Sequence, residues 1–313
     1  MTTRHVPVLR DETIALLEPG PGKKIVDGTY GFGGHSTVCL DEGAEVLGLD
    51  LDQEAVAACQ QASARRPRLY CRQASFTRLD EMLAEQGWPA VDGLLLDLGV
   101  SSRQLDEPTK GFSYQREGPL DLRFDQESGE PAHALLARLD EAELADLLWR
   151  FGEERASRRL ARAIVRARDV EPIRTTGQLR EVIKKALPSG ARPLAALSRC
   201  FQALRIKVNR ELDALAETLA LVQDCLAPGG RVVVISYHSL EDRLVKRWLD
   251  RESRDCICPP EFPDCRCQHQ RWLRSLTRKA VRPTPREAER NPRARSARLR
   301  AAEILDLAER SPQ

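Results

Sequence analysis

The chain has 313 residues, 42% of them hydrophobic, enough for two domains or for one domain carrying a large insertion. No stretch nears the roughly 18 consecutive apolar residues of a membrane span, and Met1–Pro7 lacks the apolar run of a secretory signal, so a cytoplasmic protein with no membrane partner is expected. The net charge of +2 hides an uneven spread: residues 271–300 hold eleven Arg or Lys against two Glu, which leaves the rest of the chain acidic and suggests a polyanionic partner.

Lys24–Asp27 reads as a short buried strand, followed by a turn with four glycines between 28 and 34 and a helix from about His35 to Glu42. Glu45–Asp50 is a second buried strand, and Gln53–Arg65 has helix-forming, Ala-rich composition. Arg68–Cys71 is a third strand, Phe76–Gln86 is amphipathic, and Val91–Asp97 is a nearly apolar fourth strand. Apolar strands alternating with helices predict a parallel sheet covered on both faces.

The alternation breaks at 103–131, which is polar and rich in Gly and Pro, and residues 132–206 then read as helices only. Among these are Glu141–Trp149, Arg155–Arg168 and Gln178–Leu187, the last behind the cap-like Thr175-Thr176. The α/β pattern resumes with a helix over Glu211–Leu226, stopped by Pro228-Gly229-Gly230. The strand Arg231–Ser236 and the helix Leu240–Glu252 follow, with late strands at Ser275–Lys279 and Ala297–Ile304. The expected division is 1–105 and 209–313 for a doubly wound domain, with 106–208 as an inserted helical substrate-recognition domain.

Glycine tolerates positive φ and lets a ligand approach the backbone, and in open α/β sheets ligands bind beyond the carboxyl ends of the strands. A carboxylate at Asp50, ending the second strand, can accept hydrogen bonds from ribose hydroxyls. The dinucleotide pattern G-x-G-x-x-G started at Gly31 would need glycine at 36, where Ser36 stands, and a phosphate loop ending in Gly-Lys-Ser/Thr is missing. The form present, D-x-x-x-G-x-G-G over Asp27–Gly34, looks like the methyltransferase version of the turn. Asp97, ending the fourth strand before Leu98-Gly99-Val100-Ser101-Ser102, stands where such an enzyme faces both methyl donor and acceptor.

Seven motifs in order then make the likeness specific: Asp27–His35 (DGTYGFGGH), Leu95–Ser102 (LLDLGVSS), Gly111–Tyr114 (GFSY), Gly118–Arg123 (GPLDLR), Phe201–Ile206 (FQALRI), Ser236–Arg243 (SYHSLEDR) and Asn291–Ser296 (NPRARS). Together, from about His5 to Ile304, the chain resembles the RsmH (MraW) family. The resemblance implies a class I, Rossmann-like S-adenosylmethionine-dependent methyltransferase domain with a mostly parallel sheet and an inserted all-helical domain. It implies methylation of the exocyclic N4 of a cytidine in the decoding region of 16S rRNA, with the small ribosomal subunit as partner. By resemblance, Gly33, Gly34 and His35 line the methionine part of the cofactor, Asp50 holds its ribose, Phe76 lies against its adenine, and Asp97 and Gln104 complete the site.

The cytosine amino lone pair is delocalised and a poor nucleophile, so acceptors for the amino protons would help it. The Asp/Asn-Pro-Pro-aromatic loop that many amino-methyltransferases use is replaced here by Asp97-Leu98-Gly99-Val100. Acceptors are expected instead from 97–102 and Gly118–Arg123, Asp121 included, with Tyr237 or His238 as a wall for the base. No catalytic residue is singled out. RNA contacts are expected from 271–300 and from Arg192, Arg199, Arg205, Lys207 and Arg210.

Five cysteines (39, 59, 71, 200 and 225) sit in apolar patterns and are read as reduced small hydrophobes, with no disulfide framework. Cys256, Cys258, Cys265 and Cys267, with His269 nearby, could hold zinc, but C-x-C pairs are tighter than the usual C-x₂₋₄-C spacing. A reduced, locally packed loop is preferred there, and no metal is expected. Two other functions are weighed: a non-catalytic ribosome-assembly factor that keeps the cofactor fold to grip RNA, and a nicotinamide oxidoreductase, disfavoured by Ser36. The sequence leaves monomer and homodimer equally open.

Overall fold

A computed structural model of the chain describes residues 7–306 apart from 189, 191, 260 and 263. His5, and the N-terminal reading over residues 1–6, lie outside the described residues. The chain divides into two compact units, residues 1–99 with 214–313, and residues 100–213.

The first unit is built on a seven-stranded sheet. Its strands are β1 (Lys24–Asp27), β2 (Glu45–Asp50), β3 (Leu69–Gln73), β4 (Val91–Asp97), β5 (Leu226–Ser236), β6 (Leu273–Ser275) and β7 (Arg298–Ile304), in the order β3-β2-β1-β4-β5-β7-β6. β1 to β5 pair in parallel, while β7 runs antiparallel to both β5 and β6. This is the doubly wound, mostly parallel sheet read from the sequence. Its central strands carry side chains buried on both faces, such as Val26, Leu47, Leu94, Leu95, Leu96 and Val233, as parallel strands between two helical layers must. Strand order reverses between β1 and β4, the switch point at which the carboxyl ends of two adjacent strands diverge and open a crevice.

Three expectations for this unit need correction. The helix starting at Glu211 ends at Cys225, and Pro228-Gly229-Gly230 lies within β5 as an irregularity of its pairing with β4, which jumps from Val91–Leu226 to Gly93–Arg231. The penultimate strand occupies Leu273–Ser275 rather than Ser275–Lys279; beyond it the Leu276 amide donates to the Ala301 carbonyl, and Val281 and Leu299 exchange two backbone bonds as an isolated bridge. Cys59 and Cys71 are joined by a disulfide rather than being separate thiols. The helix Gln53–Ser63 feeds β3 and packs back on it, which places Cys59 opposite Cys71 at a Cα separation of 5.9 Å. A further helix, Arg10–Leu17, precedes β1 unanticipated, because it lacks any amphipathic period.

The second unit has helices at Ser102–Asp106, Ala132–Arg138, Glu141–Gly152, Ser157–Val170, Thr176–Ala186 and Pro193–Asn209. They enclose a separate apolar core that includes Leu136, Leu148, Leu160, Ile164, Leu179 and Leu204. Starts are set by side chains: Asp140 with Glu143, and Thr175 with Gln178, form reciprocal capping boxes that satisfy two orphan amides each. The expected boundaries at 105/106 and 208/209 both fall inside this unit. Leu105 packs on the helical core, and Asn209 donates to the carbonyls of Leu122 and Arg205 while accepting from the amide of Phe124.

Candidate functional site

The turn after β1 is laced to its neighbours by backbone bonds. Gly28 donates to the Leu95 carbonyl on β4 and Tyr30 to the Leu49 carbonyl on β2, both at 2.9 Å. Asp97 donates its amide to Thr29 Oγ1 at 2.6 Å. Gly31 (φ +55°) and Gly33 (φ +71°) take the left-handed conformation that makes the turn tight. A side chain at Gly31 would meet nothing closer than the Thr29 carbonyl at 3.9 Å, so open space lies beside it.

Gly33 behaves otherwise. A Cβ there would sit 2.4 Å from Tyr30 Oη and 2.6 Å from its Cζ, and a Cβ at Gly48 would sit 2.5 Å from Tyr30 Cδ2. Both glycines make room for the buried Tyr30 ring, a role that sequence spacing does not reveal. Gly33→Ala is therefore expected to destabilise the protein itself. Left-handed alanine costs about 1–2 kcal/mol and overpacking about 1–3 kcal/mol, so urea unfolding should report a loss of roughly 2–5 kcal/mol. An unchanged midpoint would instead place the added methyl in ligand space.

Three strands end at the turn in aspartates, and burial pushes all three carboxyls up: Asp27 to about 6, Asp50 to about 6 and Asp97 to about 7. Asp27 Oδ2 accepts from the Ser36 hydroxyl at 2.6 Å and Oδ1 from the Thr29 amide at 3.2 Å. Asp50 Oδ2 accepts from the Gly31 amide at 2.7 Å and Oδ1 from the Asp52 amide at 2.9 Å, so the acid that ends β2 also holds the glycine turn. Asp97 Oδ1 accepts from the Tyr237 hydroxyl at 2.8 Å. Its other oxygen lies 3.7 Å from His35 Nδ1, too far for a hydrogen bond.

His35 Nε2 lies 3.0 Å from the Val8 carbonyl and must donate to it, which leaves the Nδ1 lone pair facing Asp97. Burial lowers the pKa of this imidazole and keeps it neutral. Gly34 stacks on Pro7, with a hypothetical Cβ 3.0 Å from its Cγ. Phe76 follows β3 at the start of a 3₁₀ turn capped by Ser75, and its Cβ lies 3.0 Å from where a Gly28 side chain would begin. Gly33, Gly34, His35, Asp50, Phe76 and Asp97 are thus gathered around one turn at the switch point.

Gln104 belongs to the second unit, where its Oε1 accepts from the Ser101 amide at 2.9 Å in a capping box. Asp121 also lies in that unit, where Arg123 grips both its oxygens at 2.8 Å and closes the 118–123 turn. His238 caps the helix Ser239–Glu252, accepting from the Glu241 amide at 3.4 Å. That capping box, with Glu241 Oε2 accepting from the Tyr237 amide at 2.8 Å, aims the Tyr237 ring at Asp97. Tyr237 is therefore a partner of Asp97, and Ser36 and Tyr30 join the cluster unforeseen.

The clustered carboxylates favour a cation, and Asp50 keeps free lone pairs for hydroxyl donors. A side chain at Gly99 (φ +93°) would meet only Tyr237, at 3.5 Å. Open backbone at Gly31 and Gly99, carboxylates between them and an aromatic face at Phe76 suit a positively charged nucleoside cofactor.

The basic stretch 271–300 is less free than its composition implies. Arg298 and Arg300 both pair with Asp242, Arg274 pairs with Glu303, and Arg271 pairs with Asp255. Arg278, Lys279, Arg282, Arg286, Arg290 and Arg295 are exposed, with no ion pair among the described residues. In the second unit Arg199 pairs with buried Glu154, Arg205 with Glu211 and Arg210 with Asp213, which spends most of the charge read there as an RNA patch.

Residues 2–305 match the MraW methylase family. A protein from Thermomicrobium roseum, named ribosomal RNA small subunit methyltransferase H, is 46% identical over 309 residues, covering 97% of this chain and 95% of that one. A protein of the same name from Anaeromyxobacter sp. is 47% identical, covering 96% and 98%. A solved rRNA methylase from Streptococcus thermophilus aligns over 95% of this chain and 94% of that one at 11% identity and a TM-score of 0.42.

Proposed function

The chain belongs to the MraW methylase family, and on that premise we propose that it is an S-adenosylmethionine-dependent methyltransferase acting on the exocyclic N4 of a cytidine in 16S rRNA of the small ribosomal subunit. The observation that carries this reading is the cluster at the switch point: three strand-ending aspartates on β1, β2 and β4 around a glycine turn, their carboxyls all pushed up, with the Asp97 carboxylate held by Tyr237. Bound there, S-adenosylmethionine would supply a methyl group on a sulfonium whose leaving thioether is neutral and needs no acid.

In this reading Asp50 accepts from the ribose, Phe76 offers its ring face to the adenine, and Gly33, Gly34 and His35 line the methionine end. Neutral His35 adds no positive charge beside the sulfonium. Asp97 accepts a proton of the attacking amino group, drawing its lone pair out of the ring, and Tyr237 keeps the carboxylate aimed. The base must be held in line with the methyl group at about 3–3.5 Å and unstacked from its neighbours to enter. Gln104 is retained as a cofactor contact only by resemblance.

The test is transfer of labelled methyl from the cofactor to small subunits and to naked rRNA, followed by mapping of the modified base. Label at N4 of one cytidine is the expected result. RNA binding without transfer would instead support the assembly-factor reading.

A further inference from the structure

Between the helix Ser239–Glu252 and β6 the chain makes an excursion that leaves and returns at one point. Trp272 donates its amide to the Glu252 carbonyl at 3.2 Å and its indole N–H to Glu252 Oε2 at 2.8 Å. The excursion itself has little to bury: Ile257 is 38% and Phe262 51% exposed. A segment with no core of its own needs a crosslink to hold one conformation.

One is at hand. The Sγ atoms of Cys256, Cys258, Cys265 and Cys267 all lie within 4.8 Å of one another, and all four cysteines are free thiols. Cys265 and Cys267 are 3.6 Å apart at sulfur, and Cys267 and Cys256 are 3.8 Å apart. A disulfide would bring sulfurs to about 2.05 Å. Tetrahedral zinc, with Zn–S bonds of about 2.3 Å, holds them roughly 3.8 Å apart. The backbone supports thiolates here as well. The Ile257 amide donates to Cys267 Sγ at 3.4 Å, the Cys258 amide to Cys256 Sγ at 3.4 Å, and the Arg266 amide to Cys258 Sγ at 3.3 Å. His269 is committed elsewhere, with Nε2 3.1 Å from the Arg251 carbonyl.

We propose that Cys256, Cys258, Cys265 and Cys267 bind one zinc ion as a tetrathiolate site. The site is structural, since four thiolates close a tetrahedron and leave no position for water or substrate. The C-x-C spacing that argues against zinc in the sequence is offset by the fold of the loop, which turns the two pairs toward each other. Soft thiolates in a tetrahedral set select zinc or iron among common metals, so the experiment distinguishes them.

The full-length protein is purified under reducing conditions without chelator and its metal content measured by mass spectrometry. About one zinc per chain is expected, falling at least tenfold in the double variant Cys258→Ser/Cys265→Ser. Thiol titration of the same native protein provides a readout that needs no variant. Few fast-reacting thiols are expected as purified, and about four once a chelator has removed the metal, released in step with zinc. Iron in place of zinc would overturn the assignment. So would four fast thiols in the untreated protein that added zinc fails to protect.

Discussion

Replacing Asp97 with asparagine is expected to lower single-turnover methyl transfer by a factor of roughly 10²–10⁴, the range of a positioned proton acceptor, while raising the stability of the protein above pH 7. The amide keeps the shape: its oxygen still accepts from Tyr237, 2.8 Å from Asp97 Oδ1, and its nitrogen faces the His35 lone pair. What is lost is the charge. Burial raises the Asp97 carboxyl to about 7, so the folded protein holds that proton more tightly than the unfolded chain does. The group therefore favours folding at low pH, and its contribution is lost as pH rises from about 4 to about 7. At roughly 1.4 kcal/mol per unit, and with the side chain 25% exposed, ionised Asp97 costs about 2–4 kcal/mol. The stability gain of Asp97→Asn should thus grow from pH 4 to pH 7 and then level off. The wild-type rate should fall below about pH 7 as Asp97 protonates, and the variant's rate should lack that step. Full transfer by the variant would move the acceptor elsewhere. Lost transfer with lost stability would reduce Asp97 to a structural residue.

The strands β1, β2 and β4 were legible because they are short apolar runs each ended by Asp, so both their ends follow from that pattern alone. The helical character of residues 132–206 was legible as well. What the sequence hid is interaction across space. Nothing in the sequence shows that Tyr30 lies where a side chain at Gly33 would begin, and Gly48 reads as a featureless strand residue until the same ring is found against it. Asp121 looks like a free acid and is clamped by Arg123. Gln104, one of the seven residues carried over by resemblance, shows a capping role that its own Ser-Ser-Arg-Gln stretch suggests. Cys59 and Cys71 sit in apolar patterns that suit thiols as well as a disulfide, and only the packing of helix on strand decides. Local periodicity reports which face is buried, whereas site chemistry depends on which side chains arrive from other elements.

The second large effect expected is on RNA affinity as salt is raised. Composition alone assigns a surplus of nine positive charges to residues 271–300, but Asp242, Glu303 and Asp255 neutralise part of it. The six exposed cations at 278, 279, 282, 286, 290 and 295 remain to meet phosphates. Each contact to a single strand contributes a slope of about −0.7 in log K against log salt, so all six together give about −4. Affinity for the ribosomal RNA substrate should then fall roughly 10²–10³-fold between 50 and 200 mM salt. The triple variant Arg278→Gln/Lys279→Gln/Arg282→Gln should bind more weakly at low salt and flatten the slope by about 2. Arg298→Gln should leave the slope unchanged, because its charge is already met by Asp242 at 2.9 Å. A slope that ignores the triple variant but responds to Arg298 would mean that the ion pairs with Asp242 open on binding and that the exposed arginines stay in solvent. The salt dependence of three proteins therefore separates a preformed basic surface from one assembled on the RNA.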